Sequence, residues 1–210
     1  MYNFIIHLQM NIFERTLRYF RLRKPRKPVD SFESIKSLIE FPINQSQSIR
    51  LGQVVEDILR LEINETSDWE DIKPANQTGE KERDHLFRRD GVTIYAELKS
   101  NLNLDSEKKK ATREKAKHIA AEEHTEGIIV ALRHYSQETL SRSSCTTFYK
   151  KSELKVLPVN EYMEMYGIKC PFGSEREYVR WLNLVATELV KEDTDAEHLE
   201  AAETLMNLKT

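Results

Sequence analysis

The chain has little of what usually organises a fold or anchors it elsewhere. It carries two cysteines in 210 residues, Cys145 and Cys170, with no CxxC pair and no histidine cluster at metal-ligand spacing. That excludes a disulfide scaffold and a zinc module, and predicts free thiols in a reducing compartment. No apolar run approaches the ~20 residues of a membrane span. The nearest candidate, around Phe4, Ile5, Ile6 and Leu8, is short and its positive charges follow it, the reverse of a secretory signal. It reads as an amphipathic helix, or as an upstream extension if Met10 is the true start. A cytoplasmic protein without a membrane partner is the expectation. No internal repeat is present. Glycine and proline number six each, and most of them mark boundaries.

Apolar residues make up 39% and charged residues 32% of the chain, which suits a compact core under a salt-rich surface. The length allows one domain with a full core. The expected organisation is a basic N-terminal helix and linker at 1–28, a central domain at 29–192, and an acidic C-terminal helix or tail at 193–210. The formal charge of −3 hides an asymmetry: Met1–Pro28 holds seven Lys or Arg against one Glu, and Glu188–Thr210 seven acids against two lysines. Net charge is therefore a poor guide to partners.

Along the chain, the Arg21–Lys27 run with Pro25 and Pro28 predicts an extended connector, a solvated linker or a phosphate-contacting arm. Asp30 and Glu33 form a capping-box pattern for a helix with Phe32, Ile35, Leu38 and Ile39 on its apolar face. Ser48 is placed to cap a helix at Ile49–Ile63, whose stripe of Leu51, Val54, Val55, Ile58 and Leu59 leaves Glu56 on a flank. Residues 64–79 read as an irregular loop. Ser106 opens a long basic helix to about His124. Gly127–Tyr135 and Lys155–Val159 read as buried strands, with a Ser- and Thr-rich loop between them. Asn160 is expected to cap a short helix. Ser174 and Glu177 predict a capping box for the helix Glu175–Lys191, whose Tyr178, Trp181, Leu182, Val185 and Leu189 are expected to pack on the sheet.

The densest signal is Glu80–Lys110. Two strand-like segments, Lys81–Arg88 and Gly91–Lys99, flank the turn signal Arg89-Asp90-Gly91, which predicts a hairpin. On the second strand Val92, Ile94, Ala96 and Leu98 share one face by the two-residue period, and Thr93, Tyr95, Glu97 and Lys99 the other. Glu97 and Lys99 therefore point the same way, with Asp84 on the neighbouring strand. His85 points to the opposite face and reads as structural. Trp69, Tyr95 and Tyr135 read as core or rim residues.

Cleaving a phosphodiester at neutral pH requires an activated water, a charge sink for the pentavalent transition state and help for the leaving oxygen. A divalent cation held by carboxylates supplies these. Hard cations take oxygen ligands and keep several waters, so Asp84, Glu97 and the Leu98 backbone carbonyl form a sufficient set. Lys99 would orient or deprotonate water and offset phosphate charge. The tripeptide itself carries little, because Glu-x-Lys recurs as Glu107-Lys108-Lys109 and as Glu153-Leu154-Lys155. The Glu107 copy sits at a helix start, where residues two apart do not share a face. The Glu153 copy has no Asp in the thirty residues before it. Without their context Asp84, Glu97 and Lys99 would read as a cross-strand ion-pair cluster on a solvated sheet face.

With Asp84, twelve intervening residues and Glu97-Leu98-Lys99, the segment resembles the PD-(D/E)XK nuclease superfamily. DHLF followed by YAELKSNLNLDSEK is most similar to type II restriction endonucleases. The order of an acid-bearing helix, a loop, a hairpin, a helix and a strand covers roughly 46–160. Arg83 stands where the family motif carries proline. The resemblance implies an α/β fold: a mixed central sheet flanked by helices (a restriction-endonuclease-like core) with N- and C-terminal helical extensions. It implies a magnesium-dependent endonuclease on double-stranded DNA, with Mn2+ as substitute, with Asp84 and Glu97 as catalytic metal ligands, Lys99 as the catalytic lysine and Glu56 as an auxiliary acid. Cutting both strands of a palindrome implies a homodimer, with a separate cognate DNA methyltransferase as a possible partner. The remaining chain leaves no room for a helicase or methyltransferase segment, which favours a stand-alone enzyme. Lys108, Lys109, Arg113 and Lys117 of the basic helix are candidate DNA contacts, as are Asn101 and Asn103, which also suit a loop. The alternatives are a repair, recombination or transposition nuclease of the same fold, and a binding module without catalysis.

Overall fold

The computed structural model describes residues 12–22, 38–73, 82–100, 102, 104–141 and 146–207, without the side chains of 21–22 and 195–207. The capping-box helix expected after Asp30, the basic connector, Cys145, Asn101 and Asn103 lie outside the described residues. The fold is α/β, with a five-stranded mixed sheet flanked by helices. The chain forms two compact units, 56–178 and a second made of 1–55 with 179–210.

In the second unit, α1 (Ile12–Leu22) buries Ile12 and Thr16. The Thr16 hydroxyl donates to the Ile12 carbonyl and accepts from the Trp181 indole of α7 (Glu175–Asn207). Helix α2 (Gln45–Thr66) starts earlier than its apolar stripe predicts. Asn44 is its cap: the Asn44 and Gln47 side chains each accept from the other residue's backbone N–H, a reciprocal box that replaces Ser48. Arg50 pairs with Glu192 at 3.1 Å and with Asp193. These pairs sit beyond the predicted helix end at Lys191, and the helix continues without a break to Asn207. Leu182, Val185 and Leu189 are buried, as their spacing requires.

The unit at 56–178 contains the sheet, in the order β1-β2-β3-β4-β5. Strands β1 (Glu70–Asp71), β2 (His85–Arg89) and β3 (Val92–Lys99) are antiparallel, and β3, β4 (Gly127–Ala131) and β5 (Lys155–Pro158) are parallel. The hairpin turn is at Asp90 and Gly91, with φ of +50° and +78°. Two successive left-handed residues match the right-handed twist of the strands, which is why an Asp-Gly pair belongs there. Strand β1 lies in what reads as a loop from sequence, since two residues carry no periodicity.

Helix α3 (Ser106–Glu122) crosses from β3 to β4, the connection parallel strands need. Asp105 caps it, accepting from the Lys108 N–H at 2.8 Å. Thr112, Ala116, Ile119 and Ala120 are its buried stripe, and the last three pack with Leu86, Tyr95, Ile129 and Val156 of the sheet. At Gly127 a Cβ would lie 2.6 Å from Leu154 Cδ2 and 3.3 Å from both the Ala116 carbonyl and the Ala120 Cβ, so any side chain there must push Leu154 aside and ease helix and strand apart. Strand β4 is shorter than its apolar run, because the chain turns at Ala131–His134. The Ser- and Thr-rich loop contains two short helices, α4 (Gln137–Ser141) and α5 (Thr146–Lys150). Helix α6 (Val159–Glu164) starts after Pro158, whose fixed φ suits a helix entry, so Asn160 lies inside the helix and is not its cap. On the sheet's other face His85 and Phe87 meet Tyr162 and Tyr166 ring to edge or tilted. Both faces of β3 are therefore buried from Ile94 to Leu98. Cys170 is a free thiol. Among the described residues no helix is long and apolar enough to cross a membrane.

Candidate active site

The first hairpin strand starts at His85, four residues after the Lys81 expected from sequence, and the ladder ends before Asp84. Register places Asp84 opposite Glu97, just outside β2. The Leu98 N–H, next in line for the ladder, donates to Asp84 Oδ2 at 2.8 Å. The carboxylate thereby replaces a backbone acceptor and is held at the strand end. In an extended strand the N–H and C=O of one residue lean to the same side. Leu98 faces Asp84, whereas the Lys99 carbonyl faces the other way and accepts from Leu132 N–H at 2.9 Å.

Glu97 is 1% exposed, and a carboxylate so deeply buried is tolerated only when charge and hydrogen bonds compensate it. Three groups do so. The Tyr95 hydroxyl, two residues back on the same face, donates to Oε2 at 2.9 Å. Lys99 Nζ lies 2.6 Å from Oε1 and 3.8 Å from Asp84 Oδ2. Lys115 Nζ, from α3, lies 2.9 Å from Oε1, 2.6 Å from Oε2 and 3.3 Å from Asp84 Oδ1. Two ammonium groups thus bridge two carboxylates. Burial by itself would lower the Lys99 ammonium, but Glu97 and Asp84 outweigh it and hold it above the ordinary lysine value. Burial first, and Glu97 second, push the Tyr95 phenol far up, so it remains a donor.

Glu56 stands beside this cluster on α2. Burial, reinforced by the negative charge of Asp84, pushes its carboxyl up to about 8, and Lys73 Nζ at 3.6 Å offsets only part of that. The backbone of Glu56 is fixed through the sheet's other face. Its carbonyl is 3.0 Å from His85 Nε2, and His85 Nδ1 is 2.7 Å from the Tyr162 hydroxyl, which accepts from Tyr166 at 2.9 Å. Burial lowers the His85 imidazole to about 3, so it is neutral at ordinary pH, donating from Nε2 and accepting at Nδ1. His85 is a structural spacer on the opposite face, as its register predicts.

The structure thus brings together Asp84, Glu97, Lys99 and, at the margin, Glu56. Lys115 is the residue sequence reasoning missed as a site member, since it reads as one lysine among many on a basic helix. The usable signal was its spacing. With Thr112, Ala116 and Ile119 as the buried stripe, Lys115 falls on a flank and not on the solvent side. Lys108, seven residues earlier, shares that side and is exposed. Arg113 lies over the Phe148 ring at 5.2 Å and pairs with Glu114. Lys109 is half-buried, and Lys117, two residues past Lys115, projects away from the carboxylates. The Glu153 copy of the tripeptide sits in a turn at φ +62°, apart from this cluster.

Among the described residues no group of three or more His, Cys, Asp or Glu is gathered to hold a metal ion. Asp84 and Glu97 are nevertheless two carboxylates held together by two ammonium groups, and with the Leu98 carbonyl they would offer the oxygen ligands a hard divalent cation takes. Comparison of the chain with protein-family models, curated proteins and solved structures returned no match.

Proposed function

We propose that the chain is a divalent-cation-dependent nuclease of restriction-endonuclease-like fold that hydrolyses phosphodiester bonds in double-stranded DNA, with site-specific restriction as its role and a homodimer as its working form. One observation carries this reading: Asp84, Glu97 and Lys99 meet at the end of two paired strands, on one face, in a buried carboxylate–ammonium cluster with Glu56 beside it. An ion-pair cluster that served only stability would be more economical at the surface, because burying charges costs more than their attraction usually returns.

Asp84, Glu97 and the Leu98 carbonyl would hold Mg2+ or Mn2+, which when bound supplies Lewis acidity and a charge sink for the pentavalent phosphorus. The chain's own residues do the rest. Leu98 N–H and the Tyr95 hydroxyl fix the two carboxylates against rotation. Lys99, kept protonated by those carboxylates, donates to a water or a phosphate oxygen and offsets the negative charge of the backbone. Glu56 carries its proton at neutral pH in the cation-free protein and is placed to give it up when charge near Asp84 changes. The exposed lysine Lys108 on the flank of α3 offers a phosphate contact on the same side.

Incubation with long duplex DNA and Mg2+ tests the reading. Discrete, reproducible fragments support restriction, a smear or structure-dependent cutting supports a repair or recombination nuclease of the same fold, and a shifted but uncut substrate supports a binding module. Lys99→Ala and Asp84→Ala are each expected to lower the cleavage rate by at least about 100-fold, in line with the loss of one preorganised charge-stabilising group. Cutting by either variant at the wild-type rate refutes the site assignment.

A further inference from the structure

Lys115 presents a conflict with the chemistry just proposed. Its Nζ lies within 3.3 Å of Asp84 Oδ1 and of both Glu97 oxygens. These are the oxygens that a small hard cation would draw to ~2.1 Å, so the ammonium occupies the locus the ion needs and repels it. Lys99 contacts the same pair, but it leaves β3 two residues from Glu97 and leans on Oε1 alone at hydrogen-bonding distance. Lys115 reaches in from a different element, α3, and its side chain is about a quarter exposed. Its helical position opens onto the side that carries Lys108.

We infer that Lys115 is a tethered counter-cation of the Asp84–Glu97 pair that a divalent cation displaces, and that the released ammonium then serves as a phosphate contact beside the site. The inference rests on the nuclease reading for the identity of the incoming ion and goes beyond it in giving one residue two alternating positions. Before the ion binds, Lys115 neutralises two buried acids and holds α3 against the strand end. After it binds, the same charge faces outward. Apparent cation affinity is therefore set partly by the cost of moving Lys115.

The test uses the full chain and Mn2+ alone, with titration calorimetry as the affinity readout and no DNA present. Lys115→Gln is expected to bind Mn2+ at least about tenfold more tightly than wild type, a gain of about 1.4 kcal/mol. Lys115→Arg, which keeps the charge, and Lys151→Gln, which removes an exposed lysine elsewhere, are expected to show no such gain. In parallel, the wild-type protein is treated with acetic anhydride, with and without Mn2+, and Lys115 acetylation is read by mass spectrometry; it is expected to rise severalfold with the ion. If wild type binds Mn2+ while Lys115→Gln binds it equally or more weakly, the inference fails and the nuclease reading stands. If neither protein binds Mn2+ at millimolar concentration, both fail. Should Lys115→Gln not fold, the acetylation result on wild type decides: an increase upholds the exchange, and unchanged acetylation at saturating Mn2+ overturns it.

Discussion

Replacing Glu56 by glutamine should make the cation-free protein more stable above neutral pH and remove a limb from its pH–stability curve. The native carboxyl titrates at about 8 against an ordinary value of 4.5. Between those values the native state keeps a proton that the unfolded chain has released. Stability therefore falls as pH rises through that window, and the fall ends above about 8. The window spans about 3.5 pH units, and at ~1.36 kcal/mol per unit its full value would be about 4.8 kcal/mol. The Glu56 side chain keeps 20% of its exposure and has Lys73 at 3.6 Å, so screening reduces this to roughly 2–4 kcal/mol. Glutamine fills the same volume and cannot ionise. Urea denaturation in chelator at pH 5, 6, 7, 8 and 9 should give matching stabilities for the two proteins near pH 5. A gap should open to roughly 2–4 kcal/mol at pH 8, with Glu56→Gln the more stable. His85 contributes a limb of opposite sign: its depressed pKa, about 3 against 6.5, means stability is lost as pH falls below 6.5. That limb is common to both proteins and cancels in the difference. Parallel curves across the whole range would show that Glu56 is not held in its protonated form, and the account of its burial beside Asp84 would be wrong.

Gly127→Ala should destabilise the protein by about 1–3 kcal/mol in denaturant melts, because the new methyl meets Leu154, Ala116 and Ala120 at once. Adding Leu154→Ala should relieve the Gly127→Ala clash measurably; no relief would show the clash lies elsewhere. Gly91→Ala should cost about 1 kcal/mol by the same assay, from φ alone, since nothing lies within 4 Å of its Cβ position.

Much of the sheet was legible because strands announce themselves through local pattern. The Asp90-Gly91 turn demanded left-handed backbone, and GIIVA read as a buried strand. Alternation then placed Tyr95, Glu97 and Lys99 on one face and His85 on the other. Elements without a pattern were invisible: β1 is two residues long, α4 and α5 five each. Two caps differ from the sequence expectation: Asn44 takes the place of Ser48 because its side chain reaches the Gln47 N–H, and α6 starts after Pro158 with no side-chain cap, which leaves Asn160 inside the helix.

For the site, sequence by itself put Glu97 and Lys99 on one face through the two-residue period, and the hairpin put Asp84 on the neighbouring strand within reach. It could not determine how deeply they are buried. Tyr95 and Glu97 lie on what alternation alone would allow to be a solvated face, and it is the packing of α3, with Leu102, Leu140, Tyr149 and Leu154, over that face that excludes water from it. The same packing selected Lys115 from six basic residues on the helix, by placing Thr112, Ala116 and Ile119 against the sheet. Helical spacing puts Lys115 on a flank of the buried stripe, but burial and the Lys115 contact are properties of two elements meeting, because the packing of helix on sheet decides which flank reaches the carboxylates.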